Sequence, residues 1–168
     1  MDIITLKYSL IVFISVFGFY LINPNHRTLY LAIMSCGFIL SLNHYLLVYV
    51  LIYAFINYII GYQLPKTKHK KLLFRSGIAF NLLQLMAMKY ASFTIDPILG
   101  VLNFNVSLAI ISEIIVPIGI SFFTLQGIGY LINVKMGWEN PEQNFVRFFL
   151  FISFYPKFLS GPIERSNH

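Results

Sequence analysis

Charge is what this sequence has least of. Lysine, arginine, aspartate and glutamate together make up 11% of its 168 residues, under half of the roughly 25% usual in soluble domains. That leaves too little polar surface to coat a soluble globule. Cysteine occurs once, as Cys36 within an apolar run, so neither a disulfide framework nor a cysteine metal site can form inside the chain. Acidic residues number six against twelve lysines and arginines, but the basic excess is not spread over a face as nucleic-acid binding would require. Lys66, Lys68, Lys70 and Lys71 crowd one short loop with Arg75 just beyond, which reads as a solvated cytoplasmic loop obeying the positive-inside bias and excludes nucleic acid as a partner. No Ser, His and Asp set, no Cys and His pair and no metal-ligand spacing occurs, and there is no internal repeat, low-complexity tract or soluble domain.

What is present is apolar. Hydrophobic residues make up 58% and aromatic residues 17%, arranged in long runs that predict an all-α, polytopic transmembrane chain forming a single domain over 1–168. Residues 3–22 make a first span, with Lys7 placed to snorkel to the headgroups and no small-x-small cleavage site after the apolar core, so a retained anchor is expected. Asn23-Pro24-Asn25-His26-Arg27 is a turn. Spans over 28–42, 45–64 and 72–93 follow, the third carrying Asn57 among its aromatics and the fourth Arg75 and Lys89 near its ends. A loop is expected over 94–105, where Asp96, Pro97 and Gly100 cluster. Residues 106–134 exceed one span and are interrupted at Pro117-Ile118-Gly119, leaving one kinked crossing, a re-entrant piece plus a crossing, or two short crossings.

A single crossing there puts Arg27, the lysine cluster, Lys135 and Arg147 on one side and Asp2 and Asp96 on the other. That expectation is an amino terminus outside and a cytoplasmic basic loop at 65–71, in the inner (plasma) membrane. Residues 145–160 then re-enter the membrane and break at Pro156, with Gly161 and Pro162 beyond. Pro117, Gly119, Pro156, Gly161 and Pro162 are backbone devices that bend the chain. Irregular backbone at membrane depth survives only where protein buries it or water lines it, so these breaks point to a working interior.

Five pieces in order carry a resemblance. They are Asn57-Tyr58-Ile59-Ile60-Gly61; Lys89-Tyr90; Val116-Pro117-Ile118-Gly119-Ile120-Ser121-Phe122-Phe123-Thr124-Leu125-Gln126; Glu142-x-Asn144-Phe145; and Phe149-Leu150-Phe151-Ile152-Ser153-Phe154-Tyr155-Pro156 leading into Gly161-Pro162-Ile163-Glu164-Arg165. Together they resemble the membrane-bound O-acyltransferase family, in the bacterial branch that acetylates alginate or passes D-alanine toward teichoic acids. The resemblance implies a partial ring of tilted helices around a central partition pierced by a tunnel. It implies transfer of an acyl group, acetyl in the nearer branch, from a cytoplasmic thioester donor, acyl-CoA or an acyl carrier protein, to a hydroxyl of an extracytoplasmic polysaccharide or envelope glycan. No bound cofactor is implied; the lipid bilayer and extracytoplasmic polysaccharide-modification proteins are the partners it implies beside the carrier.

The family's catalytic residue is a histidine deep in the tunnel, a general base whose free pKa near neutrality suits the task. The family places it after the Gly-Pro-Ile-x-Arg motif, and this chain stops three residues past that motif, so the expectation is a fragment that is inactive alone. His168 is a terminal residue in a polar string, and His26, His44 and His69 are expected at interfaces, so no residue is assigned a catalytic role. Four residues are candidates for lining a tunnel or donor site. Ser121 and Gln126 are polar beside a Pro and Gly break, which suits a site or a helix-to-helix hydrogen bond equally. Glu113 is ionisable within an apolar run, which suits a site or the outer surface. Arg165 follows the Gly161-Pro162 break, where it suits the phosphates of a CoA-like donor or an interfacial anchor. The alternative of another class is a small non-catalytic polytopic protein, a transport component or assembly partner.

Overall fold

The structure, a computed structural model, describes residues 12, 13, 15–102 and 120–154, with backbone alone at 42 and 89–102. Every regular element among them is helical. Residues 12–13 and 15–21 are helical, and a 3-10 turn at Pro24–His26 leads into α1 (Arg27–Leu42). Then follow α2 (His44–Gln63), α3 (Lys70–Leu102), α4 (Ile120–Met136) and α5 (Phe145–Ser153).

Local chemistry sets most boundaries. Asn43 alone separates α1 from α2; its backbone is extended and its side chain accepts from the Tyr45 amide, capping the new helix. Gly137 ends α4 with φ of 75°, while its own amide bonds the Val134 carbonyl and the Trp138 amide reaches back to the Asn133 carbonyl, a Schellman pattern that a residue with a Cβ would strain. Asn144 starts α5, its side chain accepting from the Val146 and Arg147 amides at 2.9 and 3.4 Å. Ser153 closes α5, and Phe154 leaves the helical region two residues ahead of Pro156.

Two differences from the sequence reading are physical. The fourth span does not stop at Phe93: α3 runs 33 residues to Leu102, through Asp96 and Pro97, where a loop is expected. A single proline removes one backbone hydrogen bond and kinks a helix without having to end it, and Ile98, Leu99, Val101 and Leu102 resume a helix-compatible apolar run. The all-α expectation holds among the described residues, whereas a polytopic arrangement is not shown by them: one helix, α2, is long and apolar enough to cross a membrane.

That helix is also the hub. It packs against α1, α3, α4 and α5, while α1 packs on α5 and α3 on α4. Val50, Tyr53, Ala54, Asn57 and Gly61 face these neighbours and are buried, whereas Val48, Ile52 and Phe55 form an outward stripe, each more than half exposed. Similar apolar side chains face outward from α1 (Leu29, Ile33, Leu40) and α3 (Leu82, Leu83, Met86). The core inside includes Ile39, Phe123, Leu131, Phe148 and Ile152.

Candidate functional site

The interior where α2, α3 and α4 meet is polar. Tyr49, Tyr53 and Asn57 recur at every fourth position of α2, and Gly77, Asn81 and Gln84 recur at helical spacing on α3, so each trio forms one stripe. The Asn81 side-chain amide donates to Asn57 Oδ1 at 2.7 Å and to the Gly77 carbonyl at 2.8 Å. The Tyr53 hydroxyl donates to Asn81 Oδ1, with the Phe123 carbonyl of α4 a second acceptor at 3.2 Å. Asn57 in turn donates to the Tyr53 carbonyl at 3.1 Å. Higher along the same seam Tyr49 donates to Gln84 Oε1, the Gln84 amide donates to Thr124 Oγ1 at 2.6 Å, and Thr124 donates to the Ile120 carbonyl at 2.7 Å.

Tyr53, Asn57, Asn81 and Thr124 are shut away from solvent. Buried amides and hydroxyls left unpaired cost about 1–3 kcal/mol each, so this mutual satisfaction fixes the register of three helices. Glycine lets them close. A Cβ on Gly127 would meet the Tyr53 hydroxyl and stand 3.2 Å from Asn81 Oδ1, and one on Gly61 would strike the ring of Tyr130.

Tyr130 links the seam to the 142–145 motif. Its hydroxyl accepts from the Glu142 amide at 3.1 Å, and its ring lies 4.7 Å from that of Phe148. The Glu142 carboxylate accepts from the Gln143 and Asn144 amides, and Tyr58 donates to the Gln143 carbonyl at 2.7 Å. Two motif pieces separated by some eighty residues, Asn57 to Gly61 and Glu142 to Phe145, therefore meet in space. Their conspicuous polar residues act there as caps and clasps.

The sequence candidates fall apart from one another. Gln126 is buried and neither its amide nitrogen nor its oxygen has a hydrogen-bond partner. Ser121 is exposed on another face of the same helix. Glu113 and Arg165 lie outside the described residues, as do Pro117, Gly119, Pro156, Gly161 and Pro162. Tyr53, Asn81, Gln84 and Thr124 are not among the sequence candidates, although for Tyr53 the four-residue recurrence on α2 is an available signal. His26, His44 and His69 are all exposed, and His44 packs against Tyr45, so none reaches the seam. Among the described residues no three His, Cys, Asp or Glu side chains come together as a metal site. The described seam can hold helices and donate or accept hydrogen bonds; it contains no base.

Known proteins supply the context. The chain is 30% identical over 153 residues to a Pseudomonas aeruginosa protein named "probable alginate O-acetylase AlgI", a match that covers 88% of this chain and 29% of that protein. It is 31% identical over 114 residues to a protein of the same name from Azotobacter vinelandii, covering 65% of this chain and 23% of that one. The chain thus spans under a third of the length of the curated relatives it matches. No family model matches, and no solved structure matches. The resemblance read from the motifs holds: this chain is related, over most of its length, to alginate O-acetylases.

Proposed function

We propose that this chain, as a relative of the alginate O-acetylases within the membrane-bound O-acyltransferase family, forms part of a membrane enzyme that moves an acetyl group from a cytoplasmic thioester, acetyl-CoA or an acyl carrier protein, to a hydroxyl of an extracytoplasmic polysaccharide or envelope glycan. The observation that carries this reading is the match over 88% of the chain to a relative named a probable alginate O-acetylase. The apolar exterior supports the membrane location, since soluble monomers rarely expose apolar surface on several helices at once. The chain crosses the inner membrane several times, with the basic loop at 65–71 in the cytoplasm.

In this setting the seam lies near the bilayer midplane. Tyr53 stands ten residues from the end of α2, about 15 Å along a helix, which is half of the ~30 Å hydrocarbon thickness. There is no water at that depth to satisfy an amide, so Asn57, Asn81 and Tyr53 serve one another. The chain's share of the work is a rigid wall: α2, α3 and α4 clamped by this seam, with α5 clasped on by Tyr58, Tyr130 and Glu142. The histidine that takes the acceptor's proton belongs to the remainder of the enzyme.

Labelled acetyl-CoA tests this on membranes carrying the chain alone and on membranes carrying it read through the adjoining coding sequence. Label entering polymeric glycan only with the longer protein is the expected result. Transfer by the short chain would refute the assignment of the base to another part of the enzyme. Silence in both would favour the alternative, a non-catalytic polytopic protein.

A further inference from the structure

One end of the bundle is basic out of proportion to the rest. Helices α2 and α3 run antiparallel, as the pairs Asn57 with Asn81 and Tyr49 with Gln84 show. Helices α3 and α4 do likewise, since Thr124 meets Gln84 while Lys135 lies over the ring of Phe74 at 4.1 Å. The loop 64–69, the first turns of α3 and the last turn of α4 therefore converge. Lys66, Lys68, Lys70, Lys71, Arg75 and Lys135 gather there, all exposed.

Among the described residues acid does not balance them. No aspartate or glutamate occurs between Asp2 and Asp96. The 137–144 loop brings Glu139 and Glu142 from α4's end, and Glu142 is engaged with two backbone amides. Two of the cations are seated on aromatic faces, Lys135 on Phe74 and Lys66 on Tyr62 at 3.3 Å, which holds charge directly above the apolar rim. Trp138 is 66% exposed and Leu72 69% exposed at this same end. Cations, an exposed indole and apolar side chains at one level match the layering of a headgroup region, where amphipathic rings settle at the interface and lysine stems lie along hydrocarbon.

We propose that this end is a docking surface for anionic phospholipid headgroups, which gather against Lys66, Lys68, Lys70, Lys71, Arg75 and Lys135 in preference to zwitterionic ones. The proposal rests on the membrane reading above and adds a ligand class to it. Its physical basis is the attraction of juxtamembrane cations to a negatively charged leaflet, which falls off within a Debye length. The phosphates of a soluble thioester donor share this chemistry, and the test separates the two sources.

Trp138 is the sole tryptophan and reports from the site itself. The purified chain is reconstituted in phosphatidylcholine vesicles containing phosphatidylglycerol, with brominated acyl chains on one lipid or the other, and Trp138 fluorescence is read. The expected result is association of brominated phosphatidylglycerol favoured by about five-fold or more over brominated phosphatidylcholine, abolished in the K66Q/K68Q/K70Q/K71Q variant and weakened by salt. Circular dichroism of that variant is expected to show unchanged helix. Equal quenching by both lipids, or a preference that survives the variant, overturns the proposal while leaving the membrane reading intact. Quenching by neither overturns the membrane reading itself. Displacement of the brominated lipid by coenzyme A or inorganic phosphate assigns the cations to a soluble anion and also overturns the proposal.

Discussion

Gln126 and Asn81 are both buried amides, and they differ in what they meet. Asn81 uses its oxygen and both amide hydrogens on Tyr53, Asn57 and Gly77, whereas Gln126 uses neither end. Removing one member of a satisfied network strands the others, so N81A is expected to lower stability by about 1–3 kcal/mol. Replacing an unpartnered amide with an apolar side chain of similar size removes a desolvation cost, so Q126L is expected to be neutral or stabilising. Unfolding in detergent, followed by helix content, distinguishes them; a Q126L loss as large as that of N81A would mean that Gln126 has a structural partner. An amide kept dry and unpaired is costly to retain for packing alone. In the longer enzyme proposed above, Q126L therefore has a second expected outcome: acyl transfer falls while stability does not, which is the signature of a group that meets substrate.

The elements tell a similar story through their contacts. Gly127 and Gly129 lie two residues apart on α4, one against the Tyr53 hydroxyl and Asn81, the other with nothing within 4 Å of where its Cβ would be. G127A is expected to cost about 1–3 kcal/mol by forcing the seam apart, and G129A to be neutral or to stabilise by up to about 1 kcal/mol through better helix propensity. Equal effects in detergent unfolding would show that the α3 and α4 contact is looser than described. N144A, which removes the acceptor for two amides at the start of α5, is expected to cost about 1 kcal/mol.

These same contacts mark where the sequence stops being legible. The limits of α1 and α2 were readable because Asn43 and the Leu64-Pro65 turn interrupt apolar runs in the chain itself. The continuation of α3 to Leu102 was not, because Asp96, Pro97 and Gly100 carry loop statistics that a single kink overrides. Gln126 stood out as a polar residue in an apolar run. Asn57 stood out as well, but its partner Asn81 is twenty-four residues away on another helix, and only the antiparallel packing of α2 on α3 brings them together.

For the molecule as a whole, length and charge make the proposed orientation testable. At 33 residues α3 would measure about 50 Å if straight, well beyond the ~30 Å hydrocarbon thickness, so it must tilt, kink or stand clear of the bilayer. Helix α2, at 20 residues, is long enough to cross with little tilt, and in the proposed topology its two ends lie at opposite faces: Asn43 at one, the lysine loop at the other. In the proposed topology the positive-inside bias puts the lysine loop in the cytoplasm. In a C36S background, K68C is therefore expected to react with a membrane-impermeant maleimide in inside-out vesicles and not in intact spheroplasts, and N43C to show the reverse. Labelling of both from one side would mean that α2 lies in the membrane plane, and the midplane position of the Tyr53 and Asn81 seam would fall with it. Labelling in the opposite sense would keep the crossing and invert the protein, placing the basic end outside and separating it from any cytoplasmic thioester.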